Sequence, residues 1–132
     1  MENLIGKWGG IPIKRIKDGD FNNLIYPEDI ILINNIQQPV VEIIGVYEDY
    51  LIIKSEKLTC RINPIIVQVC EKPDFFVNDE VVFYNTKGSL EFGIITDLYR
   101  HTKRNKYIYI VEVNGKIKGR RYYVADLQKV KE

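Results

Sequence analysis

The chain has 132 residues, with 19 Lys and Arg against 18 Asp and Glu, a net charge of +1 and 45% hydrophobic residues. That length holds one ordinary domain or two very small ones, and the balance of apolar and charged residues excludes a wholly disordered chain. The longest apolar runs, such as Ile30 to Ile33, are far too short to span a bilayer, and two cysteines are too few for a disulfide scaffold. Met1-Glu2-Asn3 is neither basic nor followed by an apolar stretch, so no secretory signal is expected and the expected compartment is a reducing cytoplasm. Twenty-one isoleucines, nine tyrosines and five phenylalanines stand against one alanine, Ala125, and one methionine, Met1. β-Branched and aromatic side chains lose rotamer freedom in helices and pack well on pleated sheets, so the composition predicts an all-β protein.

Residues 1–28 read as an N-terminal β-containing arm. Gly6-Lys7-Trp8-Gly9-Gly10 is too glycine-rich for a strand interior. Ile11, Ile13 and Ile16 predict a short strand, Asp18-Gly19 a turn, and Phe21 to Tyr26 a returning strand before Pro27. Trp8 is either a plug folded onto one end of a barrel or a binding anchor on the arm. From Asp29 five strands are predicted: Asp29 to Asn34, Pro39 to Tyr47 with Gly45 at a bulge or bend, Tyr50 to Ser55, Leu58 to Asn63 and Ile65 to Cys70. Pro64 forces a sharp turn before the last of them.

Glu71-Lys72-Pro73-Asp74 is a short linker, and five more strands are predicted beyond it. They are Asp79 to Tyr84, Leu90 to Tyr99, Lys106 to Val113, Ile117 to Val124 and Leu127 to Val130. Arg100 to Asn105 forms a polar loop tip. Asn114-Gly115 marks a type I′ hairpin, because both its central residues need positive φ. The two sets resemble each other. Asp29-Ile30-Ile31-Leu32 matches Asp79-Glu80-Val81-Val82, Ile43 to Tyr47 matches Ile94 to Tyr99 with one insertion, and Ile62-Asn63-Pro64-Ile65 matches Val124-Ala125-Asp126-Leu127. A repeat of about fifty to sixty residues with five short strands per unit predicts two tandem small barrels, 29–70 and 75–132, with one ten-stranded sandwich as the rival arrangement.

Asn78-Asp79-Glu80-Val81-Val82-Phe83, Gly88, Gly93-Ile94-Ile95, Tyr107 to Val113, Asn114-Gly115 and Tyr122 to Leu127 together resemble an SH3-like barrel of the Tudor and KOW kind. Such barrels open on a G-D-x-V strand, continue through a G-x-I strand and a D/N-G hairpin, and take a short turn before the last strand. Asn78 stands where their opening glycine often stands. The resemblance spans residues 75–130 and, more loosely, 29–70. It implies two tandem five-stranded SH3-like barrels and a binding module. Members of the Tudor kind hold methylated lysine or arginine in an aromatic cage, for which Tyr84, Phe92, Tyr99 and Tyr123 are the candidates here.

No enzymatic activity is expected. His101 is the only histidine, no nucleophile is spaced to it, and no H-E-x-x-H, P-loop or dinucleotide fingerprint occurs. Cys60 and Cys70 lack a histidine partner and read as small strand hydrophobes, so neither metal nor cofactor is expected. Glu28-Asp29 and Glu48-Asp49 read as turn residues, and Asp97 as a solvent-facing or bulge position.

Charge is distributed unevenly. Residues 1–74 carry a net −3 and residues 75–132 a net +4. Between positions 100 and 121 lie Arg100, Lys103, Arg104, Lys106, Lys116, Lys118, Arg120 and Arg121, with Glu112 the sole acid. On an antiparallel ribbon these spread over roughly 25 Å. Tyr107 and Tyr109 share one face of their strand, and Ile108 and Ile110 the other. If the isoleucines fill the core, both tyrosines stand among the cations. Phosphate-neutralising cations beside rings that stack on bases make a nucleic-acid surface, whereas a solvated charged face is the plainer alternative. The expected partner is nucleic acid. The alternative is a protein partner or second copy in an assembly module (adaptor, immunity-type inhibitor or viral structural component), with no membrane and no small-molecule substrate.

Overall fold

The structure, a computed structural model, describes residues 1–101 and 103–130. The chain is predominantly β and divides into two compact units, Met1–Lys72 and Pro73–Glu132. Each unit contains one five-stranded antiparallel sheet.

In the first unit the strands are β1 (Trp8–Gly10), β2 (Val40–Tyr47), β3 (Tyr50–Ser55), β4 (Leu58–Ile62) and β5 (Gln68–Cys70). Their order across the sheet is β4-β3-β2-β1-β5. The glycine-rich segment is thus a strand after all, between β2 and β5, with Trp8 opposite Glu42 on one side and Cys70 on the other. Gly9 fits because its neighbours come close: a Cβ there would lie 2.4 Å from Cγ1 of Val67. Glu48 and Asp49 make the turn between β2 and β3, and the predicted bulge falls between Ile43 and Gly45.

Between β1 and β2 the chain is helical where strands were expected. Helix α1 spans Ile13–Lys17 and α2 spans Ile30–Ile33, with single 3-10 turns at Asn22–Leu24 and Pro27–Asp29. The apolar residues recur at intervals of three, so a helical turn buries them together. Ile16, Ile33 and Ile36 are buried to 1%, while Ile31 is 80% exposed. A strand would have alternated these faces. Ile25 retains one bridge to Ile62, the sole remnant among the described residues of the predicted Phe21–Tyr26 strand. The core joins Ile11, Ile16, Ile25, Ile33 and Ile36 to Val41, Ile43, Leu51, Ile53, Cys60 and Ile62.

The second unit holds β6 (Glu80–Tyr84), β7 (Leu90–His101), β8 (Lys106–Val113), β9 (Lys116–Ile117) and β10 (Gln128–Lys129), in the order β10-β6-β7-β8-β9. Numbered within each unit, both sheets therefore read 5-1-2-3-4. Both also place a 3-10 turn before the last strand, Pro64–Ile66 and Val124–Asp126. The repeat is real in connectivity, but its first strand is Trp8–Gly10 rather than Asp29 to Asn34. Asn114 and Gly115 take φ of 52° and 79°, as a type I′ turn requires. The strand expected over Ile117 to Val124 is only Lys116–Ile117 plus a bridge from Tyr122 to Tyr109.

A β-bulge between Ile95 and Asp97 sets the faces of the hairpin formed by β7 and β8. Ile95 opposes Val111 and Leu98 opposes Tyr109, and all four are buried. Tyr109 and Val111 therefore face the core, where Tyr109 was expected outside, while Ile108 is buried as expected, so β8 is covered on both sides near its middle.

Candidate nucleic-acid interface

The hairpin of β7 and β8 brings four of the predicted cations to one end. Arg100 pairs in register with Tyr107, His101 with Lys106, and Lys103 and Arg104 occupy the turn between them. No acid occurs from Leu98 to Val111, so nothing within the hairpin neutralises this end. Arg100 donates through Nη2 to the Asn105 side-chain oxygen. The Arg104 amide donates to Nδ1 of His101 at 3.3 Å, and its guanidinium lies 5.8 Å from the Tyr123 ring centroid. Thr102 lies outside the described residues.

The remaining cations divide. Lys118 Nζ sits 3.3 Å from Glu91 Oε2, and Arg120 sits 3.3 Å from Asp126 Oδ1 with its guanidinium 4.8 Å from the Tyr122 ring. Arg120 also donates to the Tyr84 carbonyl at 3.3 Å. These two are structural ties as much as surface charges. Lys116, on β9, stands at the far end of β8 from Lys106, about 23 Å away along the strand. Among the described residues Lys103, Lys106, Lys116 and Arg121 are exposed and make no ion pair.

Tyr109 cannot stack on a base. Its side chain is fully buried, and its phenol oxygen accepts hydrogen bonds from the amides of Asp74 (3.1 Å) and Phe75 (3.4 Å). The Phe75 ring meets it edge-on at 5.3 Å. Burial pushes the Tyr109 phenol above its ordinary value of 10.0, so it stays neutral. Tyr107 is half-buried with its ring 6.4 Å from that of Tyr109. The ring standing beside a basic side chain at this end is Tyr123, which sequence reasoning placed in a cage instead. The cage set is not assembled: Tyr84 and Phe92 stand on the outer face of β6 and β7, 65% and 66% exposed, whereas Tyr123 lies by Arg104.

An aromatic cluster that sequence reasoning missed lies in the first unit. The Arg61 guanidinium sits 3.7 Å from the Tyr26 ring centroid and 4.9 Å from that of Tyr47. Tyr26 meets Tyr47 and Tyr50 edge-on at 5.5 and 5.3 Å. Arg61 also grips Asp29 through Nε (2.8 Å) and Nη2 (3.1 Å), while its backbone amide donates to the same carboxylate at 2.8 Å. Asp29 is therefore a buried anchor rather than a turn residue, and Arg61 holds its carboxyl below the usual 3.8. The chain's own arginine fills this ring cluster and fastens the Pro27–Asp29 turn to β4.

Among the described residues no group of His, Cys, Asp or Glu is placed to hold a metal ion, and no helix is long and apolar enough to cross a membrane. The chain thus comprises two β units of the same strand order, and among the described residues Lys103, Lys106, Lys116 and Arg121 of the second make no ion pair. By sequence it belongs to a family of unknown function, DUF6960, whose model matches residues 1–128. No curated protein matches the chain.

Proposed function

We propose that each unit is a small SH3-like barrel and that the protein is a non-enzymatic module binding nucleic acid at the basic end of its second unit. The shared 5-1-2-3-4 strand order and the 3-10 turn before each last strand support the barrel reading. One observation carries the functional reading: among the described residues Lys103, Lys106 and Arg121 are exposed and make no ion pair, and the Arg104 guanidinium lies by the Tyr123 ring rather than a carboxylate. Cations already neutralised by carboxylates have little to offer a phosphate. These four, aided by Arg100, would bind phosphates. Tyr123 replaces Tyr109 as the ring available to a base. Lys118 and Arg120 act mainly by holding the segment that presents Arg121.

The test is fluorescence anisotropy of the full chain with labelled single- and double-stranded DNA and RNA at low and moderate salt. Binding should weaken steeply with salt, since each neutralised phosphate releases counterions. Reversing Lys103 and Arg104 to glutamate should weaken it at least tenfold and lower the salt slope by about 2. Absence of binding at low salt would remove nucleic acid from consideration.

A further inference from the structure

One face of the second sheet is apolar where a solvated sheet is usually polar. Val81, Phe83, Gly93 and Ile95 point to the core, so the alternate residues of β6 and β7 point away from it. Tyr84, Leu90, Phe92 and Ile94 adjoin one another there, and Ile117 lies beyond Glu112. Register places Glu80, Ile94, Glu112 and Ile117 in one row, Val82 beside Phe92 in the next, and Tyr84 beside Leu90 in a third. Exposure is 65% for Tyr84, 54% for Leu90, 66% for Phe92, 44% for Ile94 and 65% for Ile117. Single exposed hydrophobes need no explanation, but a contiguous patch of this kind marks an interaction surface. With aromatic side chains offering about 150–250 Å² each, the five present on the order of 500 Å² of apolar surface.

The charges at its margins are arranged for a particular partner. Glu80 lies at one end of β6, and Lys87 lies in the turn beyond Tyr84 at the other. Both are exposed, and among the described residues neither makes an ion pair. The two ends are about 20 Å apart along the strand direction. A two-fold axis running across the strands at Phe92 would exchange the Glu80–Ile94 row with the Tyr84–Leu90 row, just short of the turn that carries Lys87. Phe92 would then meet its own copy, Leu90 would meet Ile94 of the other chain, and each Lys87 would approach the other chain's Glu80. A standard interface takes about 800 Å² per partner, so the polar rim would have to supply the remainder.

We infer that this face docks against the same face of a second copy of the chain, forming a two-fold dimer independent of the basic end. The Lys87–Glu80 pairs set orientation rather than strength, and a concentration series reads the affinity directly.

Sedimentation velocity of the full chain, without nucleic acid, over a concentration series extending to hundreds of micromolar tests this. The expected result is a monomer–dimer equilibrium. Phe92→Glu should raise the dissociation constant about thirtyfold or more, as loss of a central aromatic anchor does. Circular dichroism should show that variant folded, because Phe92 is 66% exposed. Lys87→Glu and Glu80→Lys should each weaken the dimer severalfold, and the double reversal should restore it. That cycle reads the interface without touching the apolar residues. A chain that stays monomeric throughout, whether its face is bare or covered within the chain, overturns the proposal. A dimer indifferent to Phe92→Glu, or one that the double reversal fails to restore, overturns it equally.

Discussion

Asp29 shows how much one side chain can do that its neighbours in sequence do not announce. Next to Glu28 and after a proline it has the composition of a turn. The structure instead buries it and gives it three hydrogen bonds from Arg61, thirty-two positions away. Asp29→Ala removes all three and should cost about 3 kcal/mol in urea unfolding. Because Arg61 lowers the folded carboxyl, the stabilisation is complete above the unfolded value of 3.8 and fades as pH falls below it through the lowered folded value. Stability measured between pH 5 and pH 2 should therefore fall less for Asp29→Asn than for the natural chain. Parallel curves would show that the pair does not control acid stability. Tyr109 makes the same point in the second unit. Its hydroxyl satisfies two amides of the Asp74–Phe75 segment, so Tyr109→Phe should cost about 1.5 kcal/mol although no packing volume is lost. Neither partnership could be read in advance, since both depend on contacts more than thirty residues apart.

Among elements, the strands of β2 to β4 and β6 to β8 were legible because alternation, turn residues and Asn114-Gly115 agreed. The helical excursion was not. Ile30-Ile31-Leu32-Ile33 has strand composition, and only burial at every third position reveals that a turn of helix gathers it into the core. The faces of β8 were only half legible. Ile108 is buried on one face and Tyr109 and Val111 on the other, so alternation alone could not tell which residues stand outside. Glycines separate strand elements that need close approach from those that merely tolerate it. A Cβ on Gly93 would lie 2.5 Å from Val111 Cγ1 and 2.9 Å from the Glu112 carbonyl, so β7 and β8 could not keep their spacing. At Gly9 the one contact under 3 Å is with the Val67 side chain and none is with backbone, so a small side-chain shift rather than a change of strand spacing would relieve it. Gly93→Ala should therefore cost about 2–3 kcal/mol and Gly9→Ala distinctly less, a contrast that thermal melts of the two variants would show.

At the scale of the whole molecule, the repeated connectivity was visible, whereas its boundaries were hidden by the inserted helices. The first strand of the first unit is three residues long and two of them are glycine, so neither propensity nor hydrophobicity marks it. Its partners β2 and β5 define it instead. Of the proposed site, the basic residues could be identified from composition, but their division into paired and unpaired cations could not, because Glu91 and Asp126 come from other elements. The apolar core of the first unit is drawn wholly from residues before Lys72, and the contacts that Gly93 would disturb lie wholly beyond Pro73. Lesions in the two should therefore be felt separately. In hydrogen exchange followed by mass spectrometry, Asp29→Ala should reduce protection in β2 to β4, which share a core with its turn, and leave β7 and β8 near their original rates. Gly93→Ala should do the reverse, since exchange of core strands follows the opening free energy of their own cooperative unit. Equal loss of protection across both sheets from either variant would show instead that the two cores open as one, and the tandem reading would give way to a single cooperative structure.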